Sequence, residues 1–336
     1  MTVLASKRGR IAALVTMPLA TAVLLGGVEP AQATEGGASI YLLGSGGANA
    51  AVQPPVEGVY ADSTYYFYDG NISADKSLVV GGKVAAGLDS VIVAQFVTLL
   101  WVPSTKFLGG TLALGPAIPV AAPMVSADVS LTGPLGNTIS RSVRDSTLTV
   151  GDPLMTASLG WTWDRLHLTA SSFVNIPVGH YRKDQLANIA FHRWAGDFSL
   201  AASWHDIKSG WDVSGKAGVT INGTNDYTDY NSGNDFHFEA AVEKTFSPKF
   251  SAGIQGYYYK QISADTGSGA VLGPNKGEVA ALGGTVAYNT VLGRSPTTFR
   301  LRVLQEFDAT RRQEGTVAMV SVTLPLKMNL PPNAGQ

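Results

Sequence analysis

The sequence predicts an all-β protein, a transmembrane antiparallel β-barrel of about 12 strands. Three observations predict this fold. Apolar and polar residues alternate with a period of two along most of the chain, as they do in a strand with two different faces. No segment beyond the N-terminal region has about 18 consecutive apolar residues, which excludes ordinary helical spans. Short turns also alternate with mostly longer loops, which is typical of bacterial outer-membrane barrels.

Residues 1–33 have the three parts of a signal peptide. The basic residues Lys7, Arg8 and Arg10 precede an apolar run at 11–28, and the small-residue sequence Ala-Gln-Ala follows at 31–33. A transmembrane anchor is the alternative, but a proline and a glycine pair interrupt the apolar run. We therefore expect export and cleavage after Ala33. An even number of strands would then leave both termini in the periplasm, with the protein in the outer membrane of a bacterial cell.

Composition limits the remaining classes of protein. The chain has no cysteine, and charged residues make up only 15%, which disfavours a disulfide scaffold and a solvated disordered chain. The formal net charge of −1 gives no basic footprint for nucleic acid. The partners expected are outer-membrane lipid and a small hydrophobic or aromatic solute, with no nucleic acid. The oligomeric state cannot be read from the residues.

Residues 34–57 have no clear periodicity and are dominated by glycine, alanine and serine. Their only apolar cluster is Ile40, Tyr41, Leu42 and Leu43. Two interpretations remain open: a flexible periplasmic leader, or a plug inside the barrel lumen that uses this cluster. In both cases Pro54 and Pro55 end any strand pairing upstream, because proline has no N–H to donate.

The barrel itself is predicted over 58–328, followed by a tail at 329–336. The first strand is expected at 58–68. The second lies within 78–102 and the third within 107–131, with a turn at Pro103-Ser104 between them. Both are interrupted by glycine, so their boundaries are poorly defined. A polar loop is expected at 132–150.

The clearest hairpin follows at 154–176. Met155, Leu159 and Trp163 lie on one apolar face, while small polar residues occupy the other. Only Asp164-Arg165 joins the two halves, which is the length of a tight hairpin turn. Strands of about 9–11 residues with aromatic rings at one end match a membrane-spanning hairpin.

The alternation then continues through seven further strands. Short turns are expected near 207, 248 and 294, and longer loops near 185, 228 and 270. The expected strands lie near 198–204, 211–222, 236–243, 250–262, 278–291, 298–307 and 316–327.

The polar face of these strands carries charges of both signs. One interpretation is a mutually paired ionic network that fills a narrow lumen, because charges away from water need partners. The other is a polar pore lining, and the two can coexist. The candidate pore-lining residues are Asp212, Lys216, His237, Glu239, Glu243, Arg300, Arg302 and Glu306.

No chemistry-bearing motif stands out. The five histidines lack metal-binding spacing, and no cysteine is present to join them. No G-x-S-x-G elbow or phosphate-binding glycine loop appears. We therefore expect no enzyme activity, no metal site and no cofactor; a barrel lipid hydrolase is disfavoured because no nucleophilic constellation can be assembled.

Several short segments stand out along the chain: 54–60 (PPVEGVY), 65–66 (YY), 81–89, 152–154 (DPL) before 160–161 (GW), and 227–234 (YTDYNSGN). Together these segments resemble the outer-membrane family associated with the meta-pathway of phenol degradation. The resemblance covers nearly the whole chain after residue 33, although the tail after Lys327 lacks the terminal aromatic residue of many barrels. It implies a transporter of hydrophobic or aromatic compounds. The alternative function is a structural or adhesive barrel with a blocked lumen and partner-binding outer loops.

Overall fold

The computed structural model describes residues 35–72, 77–132 and 138–330. The predicted signal peptide lies outside the described residues, as does the tail beyond residue 330. Within the described ranges, no helix is long and apolar enough to cross a membrane. The one helical element there is a short 3-10 turn at Glu35–Gly37.

Nearly all of the regular structure in the described residues is β. The strands are β1 (Gly58–Asn71), β2 (Ser77–Val80), β3 (Lys83–Phe107), β4 (Gly110–Thr132), β5 (Thr138–Ser146), β6 (Thr149–Val150), β7 (Leu154–Trp163), β8 (Leu166–Asn175), β9 (Ala195–Asp206), β10 (Trp211–Asn222), β11 (Thr224–Asn225), β12 (Tyr230–Asn231), β13 (Asp235–Ser247), β14 (Phe250–Gln261), β15 (Glu278–Leu292), β16 (Ser295–Thr310) and β17 (Glu314–Met328).

Twelve of these strands close into one antiparallel barrel. Around the barrel each strand pairs with its neighbours in the order β1-β3-β4-β7-β8-β9-β10-β13-β14-β15-β16-β17. The ring closes because β1 pairs with β3 on one side and with β17 on the other, where Gly58 lies opposite Met328. The predicted twelve-stranded barrel is therefore confirmed. Closure leaves no open sheet edge, so the backbone groups of the spanning region pair within the protein.

The hairpin predicted around Asp164-Arg165 is confirmed. Strand β7 pairs with β8 from Leu154 opposite Asn175 to Trp163 opposite Leu166, with no shift of register. Asp164 has a φ of 51°. A residue with positive φ at this position is typical of two-residue hairpin turns, whose backbone twist matches the twist of the two paired strands. The local alternation and the two-residue turn were sufficient to locate this hairpin.

The turn predicted at Pro103-Ser104 is wrong. Strand β3 continues through both residues to Phe107, and the turn is formed by Leu108 and Gly109, with φ of 48° and 77°. The pairing of β3 with β4 shifts register between Trp101 and Ser104. Proline removes one ladder hydrogen bond, which an irregularity of this kind accommodates, so the strand bends without ending.

The polar loop predicted at 132–150 is also wrong in part. Strand β5 folds back on β4, with Met124 opposite Ser146, and β6 adds a second short pairing. Strand β1 ends at Asn71, opposite Asp89, whereas β3 and β4 continue further. A hairpin that extends beyond the barrel can carry charges on both faces, so its sequence resembles a loop.

The outer face of the barrel is apolar. Leu200 is 70% exposed, while the next residue along the strand, Ala201, is buried. Leu301 and Phe238 are likewise exposed on the outside. Exposed tryptophans lie near the short-turn end of the barrel, namely Trp101, Trp163, Trp204 and Trp211. A band of apolar side chains flanked by aromatic rings is what a lipid bilayer requires of a β-barrel, and the chain is accordingly a bacterial outer-membrane protein.

Candidate functional site: the barrel lumen

All eight predicted pore-lining residues lie on the inner face of the barrel. The two-residue period of β10, β13 and β16 directs them inward while their neighbours point outward. Asp212, His237, Glu239, Glu243 and Glu306 are buried, and Lys216, Arg300 and Arg302 are partly buried. In a lumen packed this tightly, each charge needs a partner.

Residues 35–57, here called the lumenal segment, occupy the interior of the barrel. Glu239 holds the segment at its centre: Gly44 N donates to Oε1 at 3.0 Å, and Gly46 N donates to Oε2 at 2.9 Å. Gln255 Nε2 donates to the Gly44 carbonyl at 2.7 Å. One carboxylate thus binds two backbone amides of the segment, an arrangement stronger than neutral hydrogen bonds.

Glycine lets the segment pass close to the wall. A Cβ added to Gly47 would lie 2.0 Å from Gln255 Oε1, and one added to Gly46 would lie 2.9 Å from Lys216 Cδ. A larger residue at either position would force these wall side chains to move, including the Gln255 amide that bonds to the Gly44 carbonyl. The small residues of this segment, which show no pattern in the sequence, thus allow its backbone to lie close to the side chains of the wall.

The four predicted plug residues lie within the lumen. Tyr41 stacks on His237 with ring centroids 3.5 Å apart and planes 13° apart, and Lys216 Nζ lies 4.8 Å from the Tyr41 centroid. Tyr41 and Leu43 belong to a buried cluster that includes Tyr257 and Leu304 from the barrel wall. Leu42 packs against that cluster and is partly buried, and Ile40 is buried.

Asp197 completes this centre, although sequence analysis did not select it. Its Oδ2 lies 2.9 Å from His237 Nε2 and also accepts a hydrogen bond from the Thr220 hydroxyl at 2.8 Å. The sequence does contain a usable signal: Phe198 and Leu200 alternate with Asp197 and Ser199, so the two-residue period of a strand places Asp197 on the face opposite the large apolar residues.

Towards the short-turn end, the lumenal segment is bound by other polar side chains. Asn49 N donates to Asp212 Oδ1 at 3.0 Å, and Ala51 N donates to Ser203 Oγ at 3.0 Å. Thr169 Oγ1 donates to the Ala51 carbonyl at 2.9 Å. The segment then leads into β1 at Gly58.

At the opposite end, Glu35 is bound by the long loops. Its carboxylate accepts hydrogen bonds from Tyr181 OH and Asn225 Nδ2, each at 3.0 Å. Burial, and the neighbouring Glu35 carboxylate, raise the pKa of Tyr181, so its hydroxyl remains a donor. The segment therefore spans the lumen from the long-loop end to the short-turn end. Gly58 and Met328 lie together, as expected of an even-stranded barrel, but Glu35 lies at the other end.

The remaining predicted pore-lining charges have partners within the wall, although Arg302 Nε is buried without a hydrogen-bond partner among the described residues. Arg300 forms a bidentate ion pair with Glu243. Its Nη1 donates to Oε2, and its Nη2 donates to Oε1 at 3.1 Å. Glu306 accepts hydrogen bonds from Tyr257 OH at 2.7 Å and Tyr68 OH at 3.0 Å. Arg302 donates from Nη1 to the Ser321 hydroxyl at 3.1 Å. Paired charges of this kind fit the ionic-network interpretation, with little of the lining left free for solutes.

Two cavities near the long-loop end share a charged residue, and one of them is lined by the lumenal segment. The first, of about 150 Å³, lies between that segment and the wall and is lined mainly by apolar groups, including Leu42, Tyr66, Phe96 and Tyr257. The second, of about 790 Å³, lies at the end of β1 near the long loops, and Tyr68 and Ile92 line it together with residues of the outer face. Arg312 lines both cavities. Within the described ranges, no three histidine, aspartate or glutamate side chains are grouped to hold a metal ion.

The fold is similar to that of a solved outer-membrane channel. The COG4313 outer membrane channel from Pseudomonas putida F1 matches with a TM-score of 0.62 and 16% identity, over 82% of this chain and 97% of that one. A Pseudomonas aeruginosa FadL homologue matches with a TM-score of 0.41 and 12% identity, over 88% and 97%. No curated protein sequence matches the chain.

A protein-family model provides the assignment to a family. It matches residues 74–322, which include ten of the twelve barrel strands in full and more than half of β17, and its description is "Putative MetA-pathway of phenol degradation". The sequence resemblance to an outer-membrane family of the phenol meta-pathway is thus confirmed. The chain belongs to this family and folds as one of its outer-membrane β-barrels.

Proposed function

We propose that this protein is a channel for passive uptake of small hydrophobic or aromatic compounds across the outer membrane, and that it has no enzymatic role. The observation that carries the proposal is the apolar cavity of about 150 Å³ inside the barrel. Ligand-binding sites are concave and mostly apolar with a few polar groups, as this cavity is. An aqueous pore for polar solutes would instead be lined by polar groups.

We propose further that the lumenal segment acts as a plug. Its contacts with Glu239, Asp212 and Ser203 restrict the lumen along most of its length. Backbone amides bound by side chains can exchange those partners for water, so the segment can shift without unfolding the barrel. The inward charges would then line the route that opens, with selectivity set by the constriction.

A permeability assay with a neutral aromatic probe tests the channel. N-phenylnaphthylamine fluoresces on entering a membrane, and an intact Gram-negative outer membrane excludes it. Cells that produce the protein should take up the probe faster than cells without it. Filling the cavity by Ala94→Trp should reduce that uptake, because Ala94 is a buried residue of the cavity wall.

Folding of the Ala94→Trp variant is checked by heat-dependent migration on gels, since overpacking can itself destabilise a core by about 1–3 kcal/mol. A matched control is Val291→Trp, which places the same ring at an exposed site far from the cavity. Uptake equal to that of cells without the protein would contradict the proposal. It would favour the alternative of a structural or adhesive barrel whose lumen stays blocked.

A further inference from the structure

Arg312 has an unusual position in the lumen. It lies in the three-residue connection between β16 and β17, at the long-loop end, and lines both cavities. Its guanidinium carbon lies 4.3 Å from the centroid of the Tyr259 ring. A guanidinium held over an aromatic face has its plane fixed and keeps its N–H groups free to bind in that plane.

The hydrogen-bonding capacity of Arg312 is not used up. Among the described residues, its Nη1 has no hydrogen-bond acceptor although that atom is shielded from solvent. A buried donor without a partner destabilises the folded state, so such groups are uncommon and call for an explanation. A bound acceptor would remove this cost.

The acidic residues around the smaller cavity do not serve as that acceptor in the structure. Glu306 accepts hydrogen bonds from Tyr68 OH, Tyr257 OH and the Gly315 amide. Asp152 accepts hydrogen bonds from the backbone amides of Gly179, Phe191 and His192. Each carboxylate thus accepts several hydrogen bonds from other donors, and neither is hydrogen-bonded to Arg312 Nη1. Among the charged groups that line this cavity, Arg312 is the one with a buried atom that lacks a hydrogen-bond partner.

The cavity size defines the apolar part of a ligand. An apolar cavity of about 150 Å³ accommodates a single benzene ring. The ring contacts available here come from Tyr66, Phe96 and Tyr257. A longer apolar chain would have to extend into the second cavity, past Arg312.

We propose that this cavity is a binding site for small aromatic acids, with the ring between the lumenal segment and the wall and the carboxylate on Arg312. The inference rests on the proposed uptake function and narrows its substrate class to include ionised compounds. A carboxylate accepts hydrogen bonds from a guanidinium in a planar, charge-assisted geometry, which an amide or alcohol of the same shape cannot match.

A matched pair of ligands tests the site. Binding of 4-fluorobenzoate and 4-fluorobenzamide to the full mature protein in lipid nanodiscs is measured by ¹⁹F NMR titration at neutral pH, with empty nanodiscs as the blank. The acid should bind at least about tenfold more tightly than the amide, as expected for one hydrogen bond to a charged group. Arg312→Gln should abolish that preference and leave amide binding within about twofold.

The control variant is Arg294→Gln, which removes one positive charge at an exposed short turn. It should keep the full preference for the acid. Arg312→Lys retains the charge without the planar fork and should keep part of the preference, so it also serves if Arg312→Gln fails to fold. Equal binding of acid and amide to the unmodified protein, or a preference that survives Arg312→Gln, would overturn the proposal.

The outcome is separable from that of the proposed channel. N-phenylnaphthylamine carries no charge, so its uptake does not depend on Arg312. Probe uptake without acid preference would refute the acid site and leave the channel standing. Acid preference without probe uptake would support the site and refute the channel.

Discussion

At the scale of single residues, Glu239 connects the lumenal segment to the barrel. It is completely buried, and its two oxygens each accept one backbone amide of the segment. Lys216 lies opposite it across β10 and β13 and supplies the positive charge that a buried carboxylate needs. The contact between Glu239 and the lumenal segment therefore depends on the carboxylate charge, on two hydrogen bonds to backbone amides, and on glycine residues that let the backbone come close.

The Glu239→Gln variant should loosen the segment without removing volume. The amide group has one acceptor oxygen, so one of the two backbone N–H groups loses its partner, and Lys216 loses its counter-charge. Each lost hydrogen bond to a charged group corresponds to about 1.5–3 kcal/mol. Hydrogen exchange at Gly44 and Gly46 should accelerate at least about tenfold in native-state measurements.

Glu314→Gln is the matched control, because Glu314 is exposed and its carboxylate accepts a hydrogen bond from the Ala309 amide of the barrel wall. It should leave exchange at Gly44 and Gly46 unchanged. Equal rates in the unmodified protein and in Glu239→Gln would mean that packing of Tyr41 and Leu43, and not the carboxylate, holds the segment.

At the scale of elements, the lumenal segment contains no helix or strand beyond the short 3-10 turn at its start. Its backbone N–H groups instead donate hydrogen bonds to side chains of the barrel wall. Such contacts allow a close fit without adding a strand. They also permit release, since the barrel ladder does not include the segment.

Deleting residues 36–52 should leave a barrel that assembles and conducts better. The strand pairing from Gly58 onward does not involve the deleted residues, and water would solvate Glu239 and Asp212 once the segment is gone. Planar-bilayer recordings should show higher conductance and looser solute selectivity than the full mature chain.

Deletion of 36–38 alone is the control, since it removes three residues upstream of Ile40 and keeps the contacts with Glu239 and Asp212. Its conductance should stay close to that of the full chain. If the larger deletion assembles normally and conducts no better, the segment is not the constriction.

At the scale of the whole molecule, the two ends of the barrel differ. Five connections of two to four residues lie at one end, and most of the longer ones lie at the other, where they bind Glu35. In bacterial outer-membrane barrels the short turns face the periplasm and the long loops face outward.

Single-cysteine labelling can test this orientation, because the chain contains no cysteine of its own. Val271→Cys lies in a long loop and Arg294→Cys in a short turn, and both sites are exposed. A membrane-impermeant maleimide added to intact cells should label Val271→Cys and leave Arg294→Cys unmodified. Labelling of both after cell lysis controls for reactivity, and the reverse pattern on intact cells would invert the orientation.

The amino-acid sequence by itself determined the barrel and the direction of its side chains. Alternation of apolar and polar residues is a local property, so it identified the inner positions of Glu239 and Arg300 and the hairpin at Asp164 without any knowledge of partners. The pattern failed at Pro103, where a shift of register lets the strand continue past a proline, and at 132–150, where a hairpin extends beyond the end of β1.

Only the tertiary structure decided which inner groups meet. Glu243 and Arg300 are 57 residues apart in sequence, and Gly44 and Glu239 are 195 apart, so strand order and barrel closure bring them together. The lumenal segment has no periodicity, and its glycines allow many backbone conformations, so its path depends on the wall around it. In the sequence, Arg312 is one of several charged residues in a loop. Its position against Tyr259 and beside the two cavities appears only in the folded chain, because burial of a polar group depends on the tertiary structure.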